Sequence, residues 1–305
     1  MFIRRKNAIK NTRTDNIFDA IILIITTLVF IIVAYPLYFI IIASFSNPHQ
    51  VIMGNVWLWP VEFTLEGYRR VFQYSHIWIG YRNTIFYTIS GTLFTLFLVL
   101  PAAHALTKDY FPGKTLIIII FMIPMFFGGG LIPFFLVVDG LGLTNTPFVL
   151  PLLGALSFMH IIIARTFMKT SIPGELHESA AIDGCSGFQI FFRIVLPLAK
   201  PIIAVIALFA AVTNWNAFFN ALVFIHDRNL FPLQLVMRNI LILESIDFGE
   251  AALTAEEVIG HMDRMRISLM LRYTLMILAS LPIIMFYPFI QRYFVTGIMI
   301  GSVKG

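Results

Sequence analysis

The chain has 305 residues, 59% of them hydrophobic and only 12% charged, where soluble domains average about 25% charged; with a mean hydropathy of +0.87, a soluble globular protein is excluded and a polytopic membrane protein is indicated. The net charge of +5 is spread over chain ends and short connections, with no basic stripe interleaved with aromatics, which excludes nucleic acid as the partner and suits loops facing anionic lipid. A single cysteine, Cys185, leaves neither a disulfide pair nor a Cys partner for a metal site.

Crossing a hydrocarbon core of about 30 Å takes about 20 apolar residues, and six runs qualify: 17–45, 83–106, 115–137, 147–168, 201–225 and 269–291. The expected fold is therefore all-α, a single transmembrane domain over 1–305. A basic arm, 1–16, leads into the first run. That run is much longer than the apolar core of a secretory signal and ends without a small-residue cleavage site, so it reads as a retained span. Pro and Gly punctuate several runs, as spanning helices tolerate when neighbours satisfy the freed backbone groups. The third run, with Gly128 to Gly130 and Pro133, is the most interrupted.

Lys and Arg set the orientation. With the N-terminus inside, 13 of the 21 fall in inner segments and the other eight on the outer side, seven of them in two long connections, 46–82 and 225–268, and Arg272 just beyond the second. Both termini, the tail 292–305 and the connection 165–200 are thus expected in the cytoplasm. The first outer connection is rich in Trp and Tyr, from Trp57 and Trp59 to Trp78 and Tyr81, which suits anchoring at the headgroup level. The second opens with LFPLQLVMRNILI, too short and too interrupted at Arg238 to span. It then turns acidic with Glu244, Asp247, Glu250, Glu256 and Glu257.

Catalytic signatures are missing. Gly113-Lys114-Thr115 resembles the end of a phosphate-binding loop, but Lys108 stands where the first Gly is required and the segment enters a span instead of following a strand. His104, Asp139, Ser157 and His160 lie on different segments without a hydrolase or metalloprotease spacing, and His160 reads as a packing histidine. If ATP drives this chain, another chain binds the ATP and its Mg; no cofactor or metal is expected here.

Two stretches carry the functional reading. In the fifth run, Thr213, Asn214, Trp215, Asn216 and Asn220 fall at membrane depth, where polar groups must face protein or water. Thr213, Asn216 and Asn220 are three and four apart and so are expected to share one helix face. They serve either interhelical hydrogen bonding or a polar path for a hydroxyl-rich solute; Trp215 is either a stacking surface or packing. The second stretch is Ser171 to Pro201. Ser171 is expected to cap a helix with Pro173 and Glu175 in its first turn. Leu176, Ala180 and Ala181 recur inward, Glu175, Glu178 and Asp183 stay exposed, and Gly184 permits a sharp stop. A second helical piece, Phe188 to Val195, follows before Pro197 and Pro201.

Within that stretch Glu178, Ser179, Ala180, Gly184, Ile194, Val195, Leu196 and Pro197 match the pattern E-A-A-x3-G-x9-I-x-L-P, with Ser179 in place of the first Ala. The pattern resembles the signature of permease subunits of ABC importers. The six-run layout, the segment WNAFFNAL from Trp215 and the tail QRYFVTGIMIGSVKG from Gln291 are similar to the second permease subunit of maltose-transporter-like carbohydrate importers. Within that group the chain looks most like the lipoprotein- and polysaccharide-type permeases of low-GC Gram-positive bacteria.

The resemblance implies a bacterial cytoplasmic-membrane permease of the type I importer fold. Its partners would be a homologous second permease, an ABC ATPase dimer and an extracytoplasmic solute-binding protein. Glu178, Ser179, Ala180, Asp183, Gly184, Ile194, Leu196 and Pro197 would couple to the ATPase, with Gly301, Ser302, Val303, Lys304 and Gly305 as a second contact, and the cargo would be a sugar or oligosaccharide. The rival reading is a secondary transporter or channel without an ATPase. It requires an ionisable relay at membrane depth or an inverted repeat, and the sequence has neither.

Overall fold

The computed structural model describes residues 12–243, 266–286 and 288; the basic arm before Thr12, the acidic run from Glu244 to Glu257 and the tail from Gln291 to Gly305 lie outside them. Every regular element among the described residues is helical. Two compact units are formed, Met1–Arg69 with Gly249–Ile277, and Arg70–Phe248 with Leu278–Gly305.

In the first unit, α1 (Arg13–Ser44) starts at a capping box in which the Thr12 Oγ1 accepts from the Asp15 N–H and the Asp15 carboxylate accepts from the Thr12 N–H. Such a reciprocal cap satisfies two of the donors that every helix start leaves open. From Ile17 to Val33 its apolar side chains are exposed, as lipid or a partner helix requires, and only Ile42, Ala43 and Ser44 are buried. The chain turns at Ser46, whose Oγ donates to the Ile42 carbonyl at 2.7 Å, and passes through α2 (Pro48–Ile52). Glu62 then pins the connection, accepting from Asn47 at 2.6 Å and from Gln50 at 2.7 Å. Phe45 stacks on both Phe63 and Tyr68. Trp57 and Trp59 stay exposed, and α3 (Glu66–Gln73) follows.

The second unit is built along α4 (Ser75–Thr107), 33 residues long. It begins eight positions before the expected second span. The reason is that Arg82 is carried inside the helix, its guanidinium donating to the neighbouring Asn83 Oδ1 at 3.3 and 3.4 Å, so a charge in the sequence does not mark a helix end here. The second unit's remaining helices are α5 (Lys114–Phe126), α6 (Leu131–Gly140), α7 (Val149–Leu153), α8 (Phe158–Ser171), α9 (Gly174–Ile182), α10 (Gly187–Leu198), α11 (Lys200–Trp215), α12 (Phe219–Phe224) and α13 (Leu233–Leu243); α14 (Arg266–Phe286) starts in the first unit's Gly249–Ile277 segment and ends in the second.

Three described helices are individually long and apolar enough to cross a membrane: α1, α4 and α14. The third expected span is not one helix, because the Gly128 to Gly130 run separates α5 from α6. The fourth is parted into α7 and α8 around Gly154, and the fifth into α11 and α12 at Asn216 to Phe218. A further bend of 80° separates α10 from α11, where Pro197 and Pro201 were expected to divide them; a proline inside a helix removes a ladder donor and crowds the preceding turn.

Two apolar cores lie toward opposite ends of α4. Around its Thr107 end, Val99, Ala103 and Leu106 pack with Ile161 and Ala164 of α8, Ala180 of α9, Phe191 and Val195 of α10, and Ile206 of α11. Toward the other end, Tyr87 packs with Val138, Val149, Phe224 and Leu235. There α4 also holds the turn at Arg228–Leu230. Asn83 donates to the carbonyls of Asn229 and Phe231 at 2.7 and 3.0 Å, Tyr87 donates to that of Leu230 at 2.7 Å, and Thr84 accepts from the Leu233 N–H at 2.8 Å. The LFPLQL segment is therefore seated on α4 as α13, with Leu233, Leu235 and Val236 buried.

Candidate functional site

The motif stretch folds as two short helices that meet at a tight stop. Helix α9 starts after Pro173, with Glu175 in its first turn where a carboxylate favours the positive helix end. Ser171 does not cap it. That residue is the last of α8, and the Pro173 side chain has nothing to accept with, so the start of α9 has no side-chain cap. Gly184 ends the helix at φ +79, the left-handed conformation that side chains with a Cβ adopt at a cost. A Cβ at Gly184 would meet nothing within 4 Å, so the requirement is conformational and not one of space.

Only one side of α9 is inward. Ala180 is 4% exposed and belongs to the core at the Thr107 end of α4, and His177 is half-buried. Leu176 and Ala181, expected inward, are exposed. The outer side therefore mixes the carboxylates Glu175, Glu178 and Asp183 with bare apolar groups. Ile182 is 87% exposed, and Phe188, just past the stop, is 76% exposed. Leaving such side chains in water wastes about 1.5–3 kcal/mol each, so this face has the composition of a surface that another protein covers.

Helix α10 opens with a second capping box, in which Ser186 accepts from the Gln189 N–H and the Gln189 Oε1 accepts from the Ser186 N–H at 2.8 Å. Its turns from Phe191 to Val195 are π-helical, with the Leu196 N–H bonding the Phe191 carbonyl. This wide turn accommodates Pro197, which has no N–H to give. Ile194 and Leu196 are half-buried against the core and Pro197 is exposed. The pattern thus supplies an outward acidic and apolar helix, a stop, and an inward root.

Beside the motif, α4, α8 and the connection after Thr107 are tied together by charged groups. Arg165 of α8 donates Nε to the Leu106 carbonyl in the last turn of α4 at 2.9 Å, a placement favoured by the helix dipole. Asp109 receives Lys114 at 3.4 Å and Lys169 at 3.5 Å; the bond from Lys114 and the charge of Lys169 hold its carboxyl below the usual value. Burial pushes the Lys108 amine below its usual value.

The polar residues of the fifth run do not share a face. Helix α11 ends at Trp215, and Asn220 stands on α12. Asn214 and Asn216 cause the stop by donating their amides back to the Ala210 and Val212 carbonyls at 2.8 and 2.9 Å, bonds that compete with the helix ladder. Thr213 and Asn216 are exposed and Asn220 half-buried. Asn214 is buried against Gly91, and Trp215 is buried with its indole donating to the Ala279 carbonyl at 3.0 Å, so Trp215 packs and is not a free stacking surface. His160 stacks on Phe209, while Asp139 accepts from Thr144 at 2.6 Å; they stay on separate helices from His104. Among the described residues no cluster of three metal-ligating side chains occurs.

Two features were not singled out in the sequence. One is the clamp from Asn83, Thr84 and Tyr87 to the turn before α13. The other is a row of hydroxyls, Thr88, Thr92 and Thr95, buried on α4 without hydrogen-bond partners. Their spacing of three and four, continued from Thr84, was the available signal.

The chain belongs to the family of binding-protein-dependent transport system inner membrane components, whose model matches residues 77–300. It is 37% identical over 300 residues to Protein LplC of Bacillus subtilis, covering 97% of each chain. To the polygalacturonan/rhamnogalacturonan transport system permease protein YtcP of the same species it is 34% identical, over 95% of this chain and 99% of that one. The arabinooligosaccharides transport system permease protein AraQ of Halalkalibacterium halodurans is 27% identical, over 90% and 92%. Among solved structures, the chain superposes with a TM-score of 0.81 and 29% identity on a bacterial ABC transporter involved in import of the acidic polysaccharide alginate, covering 94% of this chain and 100% of the other. The chain is thus a membrane-embedded permease subunit of an ABC importer, and the reading as a transporter that needs no ATPase is set aside.

Proposed function

We propose that this permease moves a sugar or oligosaccharide inward across the bacterial cytoplasmic membrane, and that α9 with the root of α10 receives the stroke of a separate ATPase dimer. Glu178, Ser179, Ala180, Asp183 and Gly184 form the docking helix and its stop, and Ile194, Leu196 and Pro197 fix it to the bundle. The observation that carries this reading is the outward face of α9, bare in the chain alone and ended by the left-handed Gly184. The cargo class is supported by relatives named for polygalacturonan/rhamnogalacturonan and arabinooligosaccharides and by the alginate importer.

In the assembly, a homologous second permease pairs with this one, a solute-binding protein delivers cargo from outside, and ATP and Mg are held by the ATPases. Six spans with both termini cytoplasmic put α9 and the tail residues Gly301 to Gly305 on the ATPase side. Closure of the ATPases pushes α9, and α4 carries the movement to the Arg228–Leu230 turn at its far end. Coupling of this kind needs ATP and cargo to favour the same global states. Thr213, Asn216 and Asn220 are the polar groups of this run left available to a solute, and replacing both Asn216 and Asn220 by Leu should change uptake kinetics; unchanged kinetics would confine them to packing.

Gly184→Asp tests the coupling in proteoliposomes containing the complete importer. It adds a charge and a Cβ to the stop without a clash inside the permease. ATP hydrolysis should lose its dependence on cargo-loaded binding protein, and uptake should fall at least tenfold, with normal amounts of permease in the membrane. Hydrolysis still in step with uptake would overturn the assignment.

A further inference from the structure

On the inner side of α9 two imidazoles meet. His177 comes from α9 and His104 from the last turn of α4, with ring centroids 5.8 Å apart and planes at 51°. His104 also lies 5.2 Å from the ring of Phe191 on α10. The Nδ1 atoms of both histidines are sealed from solvent and have no hydrogen-bond partner. An orphaned buried polar atom costs about 1–3 kcal/mol, and an apolar side chain would fill the same space without that cost. What imidazole adds is a charge that appears close to neutral pH.

We infer that His104 and His177 are positioning residues which seat α9 on the end of α4 only while both rings are neutral, so that the seat loosens as the compartment around α9 acidifies. The inference rests on the reading of α9 as the docking helix for its meaning in transport, although the seat itself does not. The charge that acts on His177 is cationic, the Lys108 amine. From α8, Arg165 sits over the Leu106 carbonyl; α10 contributes the uncharged ring of Phe191. A proton on His177 therefore enters a pocket that already repels it. Burial first, and then Lys108, push His177 below its ordinary value of 6.5. A group with a lowered value in the seated state contributes its full stabilisation above the unseated value, and loses it as pH falls below about 6.5 toward the seated value.

Hydrogen exchange over residues 174–186 in the purified permease pair, corrected for the intrinsic pH dependence of exchange, tests this without an ATPase. Between pH 7.5 and 5.5 the wild-type seat should lose protection by up to about tenfold per pH unit below 6.5 for each proton taken up. His177→Gln and His104→Gln should each flatten that loss, and Lys108→Gln should lessen it. His177→Phe, which keeps a ring in the pocket, should be flat and well protected. A variant pair that loses protection equally at every pH, or keeps the wild-type slope, would overturn the inference. Cargo-stimulated ATP hydrolysis of the complete importer, followed over the same range, separates the two readings: a seat that loosens while hydrolysis stays coupled would sink the docking role of α9 and leave the histidine pair standing.

Discussion

Asn214 fills the space that Gly91 leaves open: a Cβ on residue 91 would come within 2.5 Å of the Asn214 Oδ1. This close approach of α11 to α4 depends on both partners. The Asn214 amide is anchored by its bond to the Ala210 carbonyl, so it cannot turn away freely.

Gly91→Ala should therefore destabilise the permease by about 1–3 kcal/mol, the usual cost of overpacking. Asn214→Ala should destabilise it too, by emptying the site. The double variant should recover part of the loss, with a coupling of at least about 0.5 kcal/mol, as touching residues show. Unfolding midpoints of the four proteins in one detergent check this; strictly additive shifts would mean that the two residues do not share the space.

Thr84 and Thr95 make a second comparison on the same helix. Thr84 accepts from the Leu233 N–H, whereas the Thr95 hydroxyl is buried with no partner. Thr84→Val leaves a buried backbone N–H unpaired and should cost about 1–3 kcal/mol, while Thr95→Val removes an unpaired polar atom at constant shape and should be neutral or stabilising. Proteolysis of the Arg228–Leu230 turn should rise in the first variant alone.

The motif helix was legible because its signals are local. Small residues, first-turn Glu175 and the stop at Gly184 are all read within ten residues, and the division between α10 and α11 follows from Pro197 and Pro201. Spans were legible as apolar runs but not as helices, since a run keeps its hydropathy when Gly128 to Gly130 or the back-bonded Asn214 and Asn216 interrupt the ladder. The supposed face of Thr213, Asn216 and Asn220 failed for that reason: spacing of three and four implies a shared face only within one continuous helix. Arg82 misled in the opposite sense, because a charge bonded to its own neighbour can remain in a helix. The His104–His177 pair was out of reach, being 73 positions apart in sequence (177 − 104) and joined only by how α9 returns to α4.

Ser186→Ala removes one half of the capping box at the start of α10. Loss of such a cap costs about 1 kcal/mol. Because Ser186 is exposed, the effect should stay local: faster amide exchange at Gln189 and Ile190, with little shift in the unfolding midpoint. Equal destabilisation of α4 would show that α10 and the bundle core unfold as one unit.

Ile182→Asp probes the outward face itself. The side chain is 87% exposed and makes no demand on the permease core, so the variant should insert and unfold as the wild type does. If an ATPase covers this face, a carboxylate here must be desolvated beside Asp183, which carries the same sign of charge, and an uncompensated buried charge weakens an interface by several kcal/mol. The ATPase should then co-purify with the permease at least tenfold less well. Ile182→Ala, which loses only apolar area, should weaken association by less than the charged variant. Normal recovery of the ATPase with Ile182→Asp would move the docking surface away from the C-terminal end of α9.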